Sequence, residues 1–237
     1  MKKLIVLFAI LLTACGGSLS DLTKGNPVTI TSYPLQSGYK ARLAAGSSDN
    51  YTMNMTIQQG SLVTCTGTAN VTTTVPASTT FQTFPAFKVT ETDTITMNDC
   101  GINGVSIFGF QTTIYLDTNY NVWAFDVSGS QFSQDSVPPT MPTSVKVGDS
   151  GTFLTMTSYA DATKSVVTGS TQVTYSVATE TNTTALVTLI ETSKDTSNVI
   201  TGTTKTVYRI EADGKLTALS YELQTTGTNA MHVTLTK

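Results

Sequence analysis

The feature that most constrains this 237-residue chain is a side-chain period of two that recurs almost to its end. Apolar and polar residues alternate, with β-branched residues prominent, over 51–57, 62–75, 87–97, 107–116, 122–127, 151–157, 171–177, 185–190, 206–210, 216–223 and 231–236. A period of two places successive side chains on opposite faces of an extended strand, and such runs between turn residues read as half-buried strands. No run carries the caps and 3.6-residue period of a long amphipathic helix. Ala212-Asp213-Gly214-Lys215 separates two of the runs, and Asp-Gly readily adopts the positive φ values of a tight hairpin turn. The sequence predicts an all-β body of antiparallel strands, with no major helix after its N-terminal leader.

Composition says what covers those strands. Charged residues make up 12% of the chain, about half the usual share, and about one residue in five is threonine. Hydroxyls therefore take the place of charge on the polar faces. A formal net charge of −3 without a basic run argues against nucleic acid as a partner. Ordinary apolar content excludes a disordered chain, and abundant threonine with scarce lysine and glutamate excludes a long coiled coil.

Residues 128–144 interrupt the alternation. Pro138, Pro139 and Pro142 remove three backbone donors within five residues, so no central strand passes there. This divides the body into two consecutive β modules, 28–132 and 143–237, each a sandwich or curved half-barrel, joined by a Pro-rich linker at 133–142. Each module ends on a strand, a polar turn and a strand. Thr113-Ile114-Tyr115 leads to Val122-Trp123-Ala124-Phe125, and Thr206-Val207-Tyr208 leads to Leu216-Thr217-Ala218-Leu219. One continuous curved sheet or barrel is the alternative.

The N-terminus has a different character. Lys2 and Lys3 precede the apolar run 4–12, which is too short to span a bilayer. Leu12-Thr13-Ala14-Cys15 follows and resembles the lipobox of bacterial lipoproteins. The resemblance covers this segment alone. It implies a signal peptide of residues 1–14, cleavage before Cys15, and a diacylglycerol on the Cys15 thiol. Gly16, where an aspartate marks inner-membrane retention in enteric-type sorting, implies direction to the outer membrane. Loss of Lys2 and Lys3 leaves 11 basic against 16 acidic side chains, a net charge of −5 that disfavours adhesion to anionic headgroups. The small polar residues of 15–27 read as a flexible tether of about 20 Å root-mean-square length.

With Cys15 assigned to lipid, Cys65 and Cys100 remain in an oxidising compartment, and a disulfide between them is the expected use of the pair. No CxxC or nearby histidine completes a tetrahedral metal site, so neither a metal nor a cofactor is expected. Gly148-Asp149-Ser150-Gly151 resembles the nucleophile segment of chymotrypsin-like proteases. However, Thr152 stands where that family has glycine, and the single histidine, His232, follows the serine instead of preceding it. A serine without its base is a weak nucleophile, and a turn accounts for these four residues. Asp117, Asn119 and Asn121 have the spacing that opens a calcium loop, but Val122 and Ser128 stand where glycine and a bidentate glutamate belong, which favours a polar turn.

Glu91 and Asp93 share one face of a strand, and Thr90, Thr92, Thr94 and Thr96 share the other. A carboxylate pair suits glycoside hydrolysis, although in a threonine-rich run it is more simply a solvated face. Tyr120, Trp123 and Phe125 are the candidate ligand surface, with alternation placing Trp123 and Phe125 together. The sequence thus points to a lipid-anchored, non-enzymatic envelope protein that is held to the membrane through its lipid and binds another envelope protein, a lipid or a glycan. The alternatives are a carrier of an apolar ligand in a curved-sheet cavity and a glycan-binding or glycan-hydrolysing surface protein.

Overall fold

The computed structural model describes residue 30 and residues 32–59, 61–100, 106–128, 130–227 and 230–237. The expected signal peptide, Cys15 and the expected tether lie outside the described residues. A helix, α1 (Leu35–Ala45), opens the body. Thirteen strands follow: β1 (Ser47–Gln59), β2 (Ser61–Thr73), β3 (Ala77–Phe81), β4 (Phe84–Asp99), β5 (Ser106–Leu116), β6 (Val122–Val127) and β7 (Gln131–Gln134), then β8 (Ser150–Tyr159), β9 (Val167–Thr179), β10 (Thr184–Asp195), β11 (Ile200–Glu211), β12 (Leu216–Thr225) and β13 (Met231–Thr236). All pair antiparallel, as the alternation predicts.

The strands do not form two modules. Each neighbours the next around a ring, and the last strand pairs with the first, from Thr52↔Thr236 to Ile57↔Met231. Twelve strands close this barrel. The thirteenth, β3, continues β2 past a break at 74–76 and pairs with the start of β4, so the β3–β4 hairpin overhangs one mouth. A sandwich or half-barrel is therefore corrected to a closed, up-and-down barrel. Residues 133–142 do not divide the sheet, because β7 pairs with β6 on one side and β8 on the other. The three prolines fall just after β7, in the loop crossing the same mouth, where buried Met141 fixes the loop to the core. Closure leaves none of the ring strands with a free edge, which two open modules could not achieve.

Alternation sets the sidedness. Met53, Met55, Val71, Val89, Ile114, Leu116, Met156, Val187, Ile210 and Leu235 point inward and are buried. Thr52, Asn54, Thr64, Thr66, Thr68, Thr155, Gln172, Lys205 and Gln224 point outward and are exposed. A ring of twelve strands is wider than the eight whose side chains fill a barrel unaided. The excess width at the mouth is taken up by α1, the one helix among the described residues.

Candidate functional site: the plugged lumen

Helix α1 has the sequence LQSGYKARLAA and starts after Pro34, whose side chain makes no capping bond. Leu, Gln, Lys, Arg and Ala favour the helix, and Gly46, with φ +66°, ends it. The central Gly38 is the poorest helix former in the segment, and packing explains it. A Cβ at Gly38 would lie 1.8 Å from the carbonyl oxygen of Gly214, in the Asp213-Gly214 turn between β11 and β12. The helix backbone thus rests directly on the hairpin turn that the sequence marks most clearly. Leu35, Tyr39 and Leu43 are buried, and Tyr39 meets Phe153 of β8 edge to face at 6.1 Å between centroids. Lys40 lies over the ring of Tyr120, in the β5–β6 turn, at 5.0 Å. The helix therefore contacts opposite sides of the mouth.

Arg42 carries charge into the interior. Its side chain is 3% exposed, its Nη1 donates to the carbonyl of Leu216 at 3.4 Å, and its Nη2 lies 3.9 Å from Asp49 of β1. The guanidinium also sits over the ring of Tyr208 at 5.2 Å. Asp49 is buried as well and receives Lys237 Nζ at 2.5 Å, just beyond the β1–β13 seam. One carboxylate thus joins the plug to the C-terminal residue. Burial lowers the Arg42 pKa, and the neighbouring tyrosines and Asp49 oppose that shift. Burial is also the main reason the phenols of Tyr39, Tyr51 and Tyr208 are raised above their usual range.

Below the plug the lumen holds three further acids. Glu91 and Asp93 are each 1% exposed, and Glu191 of β10 is 7% exposed. The sequence expectation of a solvated face at Glu91 and Asp93 is thereby reversed, since their face is the interior and the threonine face is the outside. Pairing with β2 and β5 makes the choice, because Asp93 stands opposite Val71 and Phe110 and follows the inward set of both neighbours. Asp93 is pushed well above the usual carboxylate range, by burial first and by Glu91 second. Glu191 is raised to about 8 by burial. Asp93 Oδ1 and Glu191 Oε1 are buried without a hydrogen-bond partner. Tyr221 of β12 feels Glu191, Asp93 and Glu91 together, which adds to the effect of burial in raising its phenol.

Two residues beyond Glu191, a belt of buried hydroxyls crosses four strands. Ser133 meets Ser158 at 3.0 Å, Ser158 meets Thr171 at 3.3 Å, and Thr171 meets Ser193 at 3.2 Å. Gln131 Nε2 donates to Ser133 Oγ at 2.8 Å where the belt nears the second mouth. Buried polar groups must find partners, and the belt satisfies its members internally. Glu191 and this belt are residues the sequence reading did not single out. Glu191 and Ser193 continue the inward phase of Ala185, Val187 and Leu189, and Ser158 that of Leu154 and Met156, so a charged or hydroxyl residue in phase with an apolar set was the available signal.

The other sequence candidates scatter. Trp123 and Phe125 do not share a face, because a bulge between β5 and β6 leaves Trp123 without a cross-strand partner. Phe125 packs in the lumen, whereas Trp123 lies among Phe81 and Phe84 of the overhanging hairpin, at 5.2 and 5.7 Å between centroids. Tyr120 stacks near Phe87 at 4.9 Å. Cys65 and Cys100 form a disulfide across the base of the β2–β4 pair. Gly148-Asp149 is a turn, in which the Asp149 carboxylate accepts from Lys146 N at 2.8 Å, and Ser150 opens β8. His232 is on β13, separated from β8 by four intervening strands, and pairs with Glu222 at 2.8 Å on the outer wall. The Asp117 carboxylate accepts from Asn119 N, Asn121 N and Asn121 Nδ2 at 2.8–2.9 Å, the bonding of a closed polar turn.

Under α1 a small apolar cavity of about 10 Å³ is lined by Leu35, Tyr39, Met141, Phe153, Val187 and Leu216, among others. That is the space of about one water molecule. No family model, curated protein or solved structure matches the chain.

Proposed function

We propose that the chain is a lipid-anchored lipoprotein of the bacterial cell envelope, directed to the outer membrane, whose barrel has a non-enzymatic binding or structural role. The observation that carries this reading is the direction of the apolar faces. A membrane-spanning barrel presents an apolar band outward and a polar lumen. This barrel is the inverse, with a packed, mainly apolar lumen that encloses the buried acids and the hydroxyl belt, and an outer wall rich in threonine, asparagine, glutamine and lysine. Such a body sits in water, and its membrane attachment falls to the lipid on Cys15. Two or more acyl chains give stable anchoring, each buried methylene adding about 0.8 kcal/mol.

Fractionation of cells expressing the full chain and its Cys15→Ala variant tests this. The parent is expected in the membrane fraction and is released by detergent, while the variant is expected in the soluble fraction. A variant that stays with the membrane overturns the anchor.

The apolar cavity under α1 favours a second reading, a carrier of an apolar ligand. At about 10 Å³ the space holds no acyl chain, so a carrier works here by withdrawing the plug.

A further inference from the structure

We propose that Asp93 and Glu191 are a proton-operated latch inside the barrel, holding α1 in the mouth while they are protonated and releasing it when they ionise. The geometry carries the argument. Both side chains are buried in a closed ring of strands, and each keeps a carboxyl oxygen without a partner. An ionised carboxylate in that position needs water or a cation, because burying an isolated charge is costly. Among the described residues Arg42 is the one buried cation, and it already faces Asp49, which also holds Lys237.

The groups around the latch are few. Asp93 on β4 faces Glu91 on its own strand, and across the lumen Tyr221 on β12; its partners on β2 and β5, Val71 and Phe110, carry no charge. Glu191 on β10 faces Tyr221, and its partners on β9 and β11, Val173 and Thr204, are likewise uncharged. Glu91 in turn faces Tyr39 of α1, Tyr51 of β1 and Tyr208 of β11, which surround Arg42. Negative charge arriving at Asp93 therefore acts on the plug through Glu91 and this tyrosine cage. Relief comes where the wall is weakest. Every ring strand is hydrogen-bonded on both sides, whereas α1 is held by side chains and by the Gly38–Gly214 contact. Water therefore enters at the plugged mouth.

The direction of the pH effect follows from burial. Both acids keep their protons in the folded chain at a pH where the unfolded chain has lost them, so stability falls as pH rises. Glu191, raised to about 8, alone lowers the folding constant by up to about tenfold per pH unit from near pH 5 to near pH 8.

The test uses the mature chain with Cys15→Ala and hydrogen exchange of the α1 amides, corrected for the intrinsic pH dependence, together with denaturant unfolding at about pH 5, 6, 7, 8 and 9. Exchange at 39–43 is expected to rise at least tenfold between pH 6 and pH 9 while the strand amides of β10 and β11 stay protected. Glu191→Gln and Asp93→Asn are each expected to flatten both profiles. A variant pair that keeps the parent's pH slope overturns the proposal, as does exchange that rises equally in α1 and in the strands. Should a variant fail to fold, the parent decides alone, since α1 protection that is unchanged from pH 6 to pH 9 overturns the latch.

Discussion

Gly38 shows how one residue in this chain is set by a contact and not by propensity. In an isolated helix, alanine at that position gains about 1 kcal/mol over glycine. Here the added methyl meets the Gly214 carbonyl oxygen at 1.8 Å, and that neighbour is backbone that cannot rotate away. Gly38→Ala is therefore expected to destabilise the protein by about 1–3 kcal/mol, the usual range for overpacking, read from denaturant unfolding. A gain in stability would show that the plug does not rest on the hairpin. Arg42 and Asp93 make the same point about charge. Read from the sequence, each is one of a few charged residues in a hydroxyl-rich chain. The fold instead seals both inside, where burial shifts the ionisation of each.

At the scale of elements, the period of two was a sound guide to the eleven runs it marked: ten fall within strands, and 62–75 overruns the end of β2 by two residues. What escaped it was short or atypical. Strand β3 has five residues and β7 has four, too few for alternation to stand out. Residues 145–147, ahead of the Gly148 turn, form no strand, only a single bridge from Val145 to Tyr33. Helix α1 lacks a Ser, Thr, Asp or Asn cap and has a glycine at its centre, although Pro34 before it and Gly46 after it are boundary signals. The Cys65–Cys100 pairing was legible because these two cysteines remain once Cys15 is set aside. Its place was not, since it depends on β2 and β4 lying side by side. Closing a loop of 35 residues stabilises by about 4 kcal/mol in the chain-entropy model. The oxidised protein is expected to show no thiol that reacts with a maleimide at Cys65 or Cys100 while folded. Addition of reductant, or Cys65→Ser with Cys100→Ser, is expected to move the unfolding midpoint to markedly lower denaturant. An unchanged midpoint would mean that the bond does not constrain the unfolded chain.

The whole molecule turns on closure. Pairing of β13 with β1 converts a row of hairpins into a ring, and the ring defines an inside deep enough to hide carboxylates. It also constrains each binding reading. In the closed state Glu91 and Asp93 are sealed from any glycan chain, and the lumen under α1 holds little more than a water. The carrier reading therefore predicts a bound state with α1 displaced. Organic extraction of the folded, anchor-free chain followed by mass spectrometry checks this. A stoichiometric acyl lipid supports the carrier, and a clean extract with α1 amides still protected at neutral pH argues for binding on the outer wall.

The sequence by itself determined most of the strands, which residues share a face, the Asp213-Gly214 hairpin and the cysteine pair. These are local properties, written in a period of two and in turn chemistry. Closure, the plug and the buried acids were settled by the tertiary structure. Alternation tells which residues share a face but not which face is inside, and in strands carrying both threonine and carboxylate the answer depends on the register of the neighbours. Likewise, a short helix with a glycine at its centre becomes a plug only where a twelve-stranded ring leaves a mouth of its width.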